Sequence, residues 1–301
     1  MNEKTAQFSL RGLFQPRDLT EGTPWKTILA FALPIIISYL LQQVYTISDA
    51  AIVGQTLTAG EVAGVNDTTS IIFIFLQFAF GVSAGFCVVT AAEVGAHHEA
   101  GVRRSLAAQI LLSAALTVLL TGLALLLLKP MLAWINVTPE SPEVYRAAHT
   151  YCAIIFAGIG AQLFYNFICS FLRSMGDSVT PLLFLLFSTI LNIGLDLLFI
   201  VSFHWGVAGA AIATVAAQLI STVGCFLYAF VKYPKLRLHR EDWQVNAGGY
   251  APAPGAGYPA GTAVFGTGYR YYRDAERGGE VRYPGGGDDL QRGAEWLWRG
   301  E

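Results

Sequence analysis

Two acidic residues lie inside strongly apolar stretches of this chain, and the more deeply placed is Asp196. It belongs to the 21-residue run Pro181–Val201, which is long and apolar enough to cross a bilayer as a helix. An aspartate at the centre of such a helix costs about 2.5–3.5 kcal/mol, so acids at this depth normally face a protein interior or a wet cavity and bind ions or protons. Asn192 lies one turn earlier on the same face, where its amide and the Asp196 carboxylate can reach one ligand. The pattern indicates an intramembrane cation site; the alternative is an aspartate near a helix end that reaches interfacial water.

The second acid, Asp49, lies in the outer half of another apolar run, residues 27–54. Gln42, Tyr45 and Asp49 follow the spacing i, i+3, i+7 and therefore share one helix face. The first half of this run is almost purely apolar and the second half is polar on one side, which predicts a water-filled cavity beside it. The alternative is that Asp49 only caps the extracellular end of a shorter helix.

The composition is that of an integral membrane protein. Hydrophobic residues make up 54% of the 301 positions and charged residues 13%, against about 25% in ordinary soluble domains, and the mean hydropathy is +0.49. Membrane lipid is therefore an expected partner. The net charge of −2 and the lack of a large basic patch argue against nucleic acid. The four cysteines all fall in apolar runs without paired spacing, so neither a disulfide framework nor a zinc site is expected.

Six runs of about 20 mostly apolar residues predict six membrane-spanning helices. They cover residues 27–54, 69–95, 106–128, 146–172, 181–201 and 207–231. We therefore expect an all-α membrane protein whose six spans occupy residues 27–232, with both ends of the bundle on one side. Eleven Lys and Arg residues flank that side and two flank the other, so the positive-inside rule predicts that both ends are cytoplasmic, in a plasma or inner membrane.

Three further segments are predicted outside the bundle. Residues 1–26 lack a signal-peptide core with a cleavage site and are expected to form a cytoplasmic leader. Residues 233–244 form a basic cytoplasmic segment. Residues 245–301 hold 14 of the 31 glycines and 6 of the 13 tyrosines, are also rich in Pro and Arg, and contain no apolar run long enough to span a membrane. This tail is interpreted as an out-of-frame translation, as a disordered cytoplasmic segment, or as a real domain, and the first is favoured.

The ordered motifs of residues 25–240 resemble the amino-terminal half of the MATE family, the multidrug and toxic compound extrusion transporters. The segments that carry the resemblance are LPIIISYLLQQVYTISDAAIVGQ, SIIFIFLQFAFGVSAGFCVVTAAEVGAHHEAGVRRS, FLRSMGDSVTP, LNIGLDLLFI and WGVAGAAIATVAAQ. The resemblance implies one six-helix lobe of a MATE-like transporter, normally followed by a second lobe with a substrate cavity between them. It further implies exchange of sodium ions or protons for small cationic substrates. The missing second lobe, or a second copy of this chain, is then an expected partner.

The resemblance also assigns the residues of a cation site. The family's acid near the outer half of its first helix falls on Asp49, the Asn and Asp of its fifth helix on Asn192 and Asp196, and its sixth-helix threonine on Thr214. Two carboxylates in a low-dielectric cavity cannot both stay charged cheaply, so the pair is expected to hold a proton or a sodium ion. Asn192 and Thr214 would add neutral oxygens that suit sodium. No other metal and no cofactor are expected.

Polar side chains within the spans are the candidates for the substrate cavity. They are Gln42, Tyr45, Asn166 and Gln218. Two alternatives belong to other functional classes: a lipid-linked precursor flippase of the wider superfamily, and a non-transporting membrane partner protein. The flippase would be expected to carry mid-membrane Lys or Arg for a pyrophosphate headgroup, which these spans lack. We find no nucleophile and base pair and no histidine-rich motif, so an enzyme is not expected.

Overall fold

The computed structural model describes residues 24–243, without the side chains of Pro24, Lys26, Lys235, Arg240 and Glu241. Every regular element in this part of the chain is helical. The α-helices are α1 (Pro24–Thr56), α2 (Ala59–Gly95), α3 (Glu99–Leu126), α4 (Leu128–Trp134), α5 (Pro142–Ala157), α6 (Ile159–Ser174), α7 (Val179–Asp196) and α8 (Gly206–Lys232). The predicted all-α fold class is confirmed.

Within residues 24–243, five helical segments are long and apolar enough to cross a membrane, and α5 with α6 forms a sixth crossing if the bent pair counts as one. The predicted span at residues 146–172 is therefore broken, because α5 and α6 meet at Gly158 with an angle of 46°. A Cβ atom on Gly158 would collide with the side chain of Val215 on α8. The bend thus lies where the backbone approaches another helix more closely than any other residue would allow.

The second span begins ten residues earlier than the hydropathy predicted, at Ala59 instead of Thr69. Thr58 and Glu61 form a reciprocal capping box: the Glu61 amide donates to the Thr58 hydroxyl at 3.2 Å, and the Thr58 amide donates to the Glu61 carboxylate at 3.1 Å. The sequence Thr-x-x-Glu carries this start signal. The residues after this signal are polar, so a search for apolar runs does not include the first turns of α2.

The fifth span changes its winding directly after its acidic residue. Regular α-helix ends at Asp196, and residues Leu197–Ser202 continue as a π-helical segment. Segments of this kind are rare and are frequently found at functional sites. The change places Asp196 at the junction between the two windings.

The bundle is held together by two sets of packed helices. α2 packs against both α5 and α6, while α8 packs against α6 and α7. The largest fully buried side chains include Phe156, Phe167 and Phe171 on the bent pair, which lies at the centre of the bundle. α1 packs mainly against α7 and is the least buried of the five unbroken spans.

Between α2 and α3 the contact includes a buried polar network. The Gln109 amide donates to the hydroxyls of Thr90 and Ser105, each at 2.6 Å, and the Cys87 thiol donates to the Gln109 carbonyl at 3.3 Å. Interhelical hydrogen bonds of this kind stabilise helix association in membranes. These side chains therefore stabilise the packing of α2 against α3.

The end of the bundle that carries Arg103, Arg104, Arg173 and Lys232 is called here the inner end, and the opposite end the outer end. At the inner end, the Asp177 carboxylate, 2% exposed, accepts hydrogen bonds from the Lys232 ammonium at 2.8 Å and the Tyr233 hydroxyl at 2.8 Å. It also caps the start of α7 through the Thr180 amide at 3.0 Å. Burial alone would raise the pKa of Asp177, but these hydrogen bonds outweigh it and hold the pKa below its ordinary value.

The predicted flanking segments are described only in part. Residues 1–23 of the leader and the tail at residues 245–301 lie outside the described residues. Of the basic segment, residues 233–243 are described and form two short 3₁₀ turns, Pro234–Leu236 and Arg240–Trp243. Leu236 is buried, and the Asp242 carboxylate lies 3.4 Å from the Arg103 guanidinium of α3. The chain after α8 thus returns beneath the inner end of α3.

Candidate cation site

Three spans bring the predicted cation-site residues together. α1 supplies Asp49, α7 supplies Asn192 and Asp196, and α8 supplies Thr214. α1 packs along α7 and also touches α8, and α7 packs along α8. As a result the carboxyl groups of Asp49 and Asp196 face each other, close enough to share a hydrogen bond.

The polar atoms at this position are buried and lack partners. Asn192 and Asp196 are 0% exposed. Both oxygens of Asp196, both polar atoms of the Asn192 amide, one oxygen of Asp49 and the Thr214 hydroxyl have no hydrogen-bond partner in proper geometry among the described residues. Two ionised carboxylates can only accept, so they satisfy one another only when a proton or a cation lies between them. Buried polar groups left in this state cost several kcal/mol in total.

Two tyrosines complete the surroundings of the carboxyl pair. Tyr45 lies one turn before Asp49 on α1. Its side chain approaches that of Thr214 and interacts electrostatically with both Asp49 and Asp196. Tyr151 on α5 interacts electrostatically with Asp49, Asp196 and Tyr45. Tyr151 was not among the predicted site residues, because a tyrosine in the fourth span carries no sequence signal that separates it from a packing residue.

The other candidates for the substrate cavity lie on three different helices, α1, α6 and α8. Gln42 lies on the exposed side of α1, and the Asn166 carbonyl accepts a hydrogen bond from the Gln162 amide on its own helix at 3.3 Å. Gln218 lies one turn from Thr214 on α8, and its amide nitrogen is buried without a partner among the residues that the structure describes. Gln218 therefore continues the polar face of α8 toward the inner end.

The donor set determines which ion could be held. The described residues contain no group of three or more His, Cys, Asp and Glu side chains placed for a metal ion. The four predicted site residues instead offer oxygen atoms: two carboxyl groups, one amide carbonyl and one hydroxyl, several of them buried without partners among the described residues. This set fits a hard monovalent cation or a shared proton better than a transition metal.

The fold and the buried carboxyl pair define a multi-pass, all-α membrane protein with a polar site inside its helix bundle. The family model MatE matches residues 34–198. The chain therefore belongs to the MatE family.

Several known proteins are similar to this chain in sequence or in fold. The chain is 32% identical over 227 residues to the probable multidrug resistance protein YpnP of Bacillus subtilis, covering 73% of this chain and 48% of that protein. It is 27% identical over 229 residues to the probable multidrug resistance protein NorM of Thermotoga maritima, covering 74% and 46%. A solved structure of a MATE protein in its straight conformation superimposes with a TM-score of 0.66 at 26% identity, covering 74% of this chain and 49% of that one.

A second solved structure, an outward-facing MATE family transporter, superimposes with a TM-score of 0.69 over 81% of this chain and 51% of that chain, at 23% identity. In each comparison the chain spans about half the length of the protein it matches.

Proposed function

We propose that this chain carries the coupling-cation site of an ion-driven exporter of organic cations. The observation that carries the proposal is the facing pair Asp49 and Asp196, with both oxygens of Asp196 buried and without a donor. A sodium ion or a proton between the two carboxyl groups removes their repulsion and satisfies these oxygens. Asn192 and Thr214 contribute neutral oxygens on the same side.

The coupling follows from the position of the site between helices. Asp49 belongs to the loosely packed α1, and Asp196 belongs to the better buried α7. A cation held between them draws α1 toward α7, and its release leaves two acceptors that repel each other. Cation binding therefore shifts α1 toward the arrangement that binds the cation more tightly. The shift is larger the more the affinities of the two arrangements for the cation differ.

The exporter requires a second lobe in this proposal. The chain spans about half the length of the relatives that it matches, and their names describe multidrug resistance proteins. We infer that the substrate cavity forms between this lobe and a second six-helix lobe or a second copy of the chain, in the cell membrane and with both ends of the bundle cytoplasmic. Gln42, Tyr45, Asn166 and Gln218 are the side chains of this lobe that we assign to that cavity.

The test is export of a fluorescent cation, ethidium, from membrane vesicles under an imposed sodium or proton gradient. We expect gradient-dependent export by this chain joined to the second half of the Bacillus subtilis relative. The substitution Asp196→Asn should abolish that export, because an amide in place of the carboxylate removes the negative charge that holds the cation.

The matched control is Asp67→Asn, which makes the same change at an exposed position of α2 and should leave export unchanged. Membrane insertion of both variants is checked by the amount of protein extracted from the membrane. If Asp196→Asn exports ethidium as well as the unchanged chain, the carboxylate has a structural role and the proposal is wrong.

A further inference from the structure

A cavity of about 270 Å³ opens at the outer end of the bundle, between the starts of α2, α5 and α8. We call it the outer cavity; its lining comprises Glu61, Glu143, Arg146, Ala147, Thr150, Trp205, Val207 and Ala208. At about 30 Å³ per water it has room for roughly nine water molecules, enough for a small ion with its first hydration shell.

Two carboxylates are held in the wall of the outer cavity by a shared partner. The Thr58 hydroxyl lies 2.6 Å from the Glu143 carboxylate and 3.3 Å from that of Glu61, so one hydroxyl hydrogen serves two carboxylates. Glu61 and Glu143 both lie in the first turn of a helix, where the positive end of the helix dipole stabilises a negative charge. The lining contains one positive group, the guanidinium of Arg146, so its net charge is negative.

One glycine makes the space that the Glu143 carboxylate occupies. A Cβ atom on Gly60 would lie 2.5 Å from the carboxyl carbon of Glu143. A Cβ atom on Gly206, whose φ is +58°, would lie 3.4 Å from an oxygen of Glu61, which is an ordinary van der Waals contact. Glu143 therefore packs directly over the backbone of Gly60 in the wall of the outer cavity.

Below the outer cavity an apolar layer separates it from the carboxyl pair. Val53, Ile200 and Ala210 form one buried cluster, which we call the outer plug, and Tyr151 packs against it. Val53 and Ile200 each lie four residues outward from an acid of the pair, and Ala210 lies four residues outward from Thr214.

Tyr151 joins the outer plug to the floor of the outer cavity. It also packs against a second cluster that contains Ala147 and Val207, two residues of the cavity lining. At 1.5 Å per helical residue, Glu143 lies about 12 Å outward from Tyr151 along α5. The outer cavity and the carboxyl pair are thus stacked along one line and separated by a thin apolar layer.

From this stacking we infer that the outer cavity is the outer entrance through which a hydrated sodium ion reaches Asp49 and Asp196, an inference that rests on the proposed function. Glu61 and Glu143 raise the local concentration of the ion, and Arg146 limits that effect. The outer plug closes the route in the arrangement seen here, so a small movement of α1 or of the π-helical segment opens it.

The experiment measures sodium binding at the carboxyl pair without requiring transport. Dicyclohexylcarbodiimide reacts with a protonated carboxyl group in apolar surroundings, and a bound sodium ion protects that group. The purified full chain is treated with the reagent at increasing sodium concentration, with choline replacing sodium to keep the ionic strength constant. Peptide mass spectrometry then gives the sodium concentration that halves the labelling of Asp196.

We expect Glu61→Gln and Glu143→Gln each to raise this half-protecting concentration about two- to tenfold. This range is the effect of one charge at about 12 Å, the separation of Glu143 from Tyr151 beside the pair, for an effective dielectric between 80 and 20. Arg146→Gln should lower it by a similar factor. Glu140→Gln, the same change at an exposed position outside the lining, should leave it unchanged. The shifts in the three lining variants should shrink toward zero at high choline chloride, because salt screens exposed charges.

Equal half-protecting concentrations in the three lining variants, or shifts of the same sign in Glu143→Gln and Arg146→Gln, would overturn the inference. So would labelling of Asp196 in the unchanged chain that sodium does not reduce. The proposed function would survive that last result if protons alone drive ethidium export and Asp196→Asn abolishes it. Normal export by Asp196→Asn would instead refute both.

Discussion

Asp177 shows how this lobe stabilises a buried charge away from the cation site. Its carboxylate receives hydrogen bonds from four groups: the Lys232 ammonium, the Tyr233 hydroxyl, and the amide and hydroxyl of Thr180. Asp196 has no such donors within residues 24–243, although both acids are almost completely buried. The charge of Asp177 is thus compensated within the fold, whereas in the proposed function an exchangeable cation compensates that of Asp196.

We predict that Asp177→Asn destabilises the protein by about 3 kcal/mol at neutral pH, equivalent to roughly 6–12 °C in Tm, because it removes the buried carboxylate charge that pairs with the Lys232 ammonium. The pKa of Asp177 is lower in the folded state than its ordinary value. Its stabilisation is therefore present above the unfolded pKa of about 3.9 and is lost as the pH falls through the folded pKa.

Thermal unfolding in detergent checks this prediction at several pH values. The difference in Tm between the unchanged chain and Asp177→Asn should be constant above about pH 5 and should narrow toward lower pH. Arg104→Gln, an exposed change at the same end of the bundle, serves as the control and should shift Tm little. A Tm difference that stays constant down to about pH 2 would contradict the assignment of the stabilisation to the Asp177 charge.

The bent pair α5 and α6 depends on close contact at Gly158. Substituting Gly158→Leu places a side chain where Val215 of α8 already lies, and the helices must separate to accept it. Overpacking of this kind costs about 1–3 kcal/mol. We expect a lower Tm and a smaller fraction of monodisperse protein in size-exclusion chromatography.

The control for this substitution is Gly122→Leu on α3. Gly122 is exposed, and no atom lies within 4 Å of the position that its Cβ would take. Glycine in the middle of a helix is itself unfavourable by about 1 kcal/mol, so Gly122→Leu should be neutral or stabilising. Equal losses of stability in both variants would show that the contact with Val215 is not what requires glycine.

In the whole lobe, one apolar helix, α1, exposes several polar side chains in its middle. Gln42, Gln43 and Thr46 are exposed in the middle of α1. The Thr46 hydroxyl donates to the backbone carbonyl of Gln42 at 3.0 Å, but lipid would offer no partner to the two glutamine amides. We interpret this side of α1 as the wall of a water-filled space completed by a second lobe. It includes Gln42 and lies next to Tyr45, two of the residues assigned to the substrate cavity.

A cysteine substituted for Thr46 should therefore react with a charged, membrane-impermeant thiol reagent when the second lobe is present. Val118→Cys, at a position that is 75% exposed on α3, should react at least tenfold more slowly, because a thiol in lipid is rarely ionised. The four native cysteines are buried and give a low background. Equal reaction rates at the two positions, measured by intact mass, would place this side of α1 in lipid.

Much of the architecture could be predicted from local sequence. Six spans were expected, and five unbroken helices and one bent pair are found, because about 20 apolar residues favour a membrane helix whatever their neighbours are. The predicted helix boundaries were wrong where local hydropathy does not determine them. The break at Gly158 depends on Val215, and the early start of α2 depends on the Thr58–Glu61 capping box, a signal that was present in the sequence but is polar.

The sequence by itself determined that Asp49, Asn192 and Asp196 are costly in their helices, because the free energy of transferring a side chain into apolar surroundings depends mainly on its type and depth. Only the tertiary structure decided that Asp49 and Asp196 face each other, that Tyr151 stands beside them, and that an acidic cavity lies outward of the pair. These features join helices that are far apart along the chain. Their distances are set by how α1, α5, α7 and α8 pack, and no local pattern records that packing.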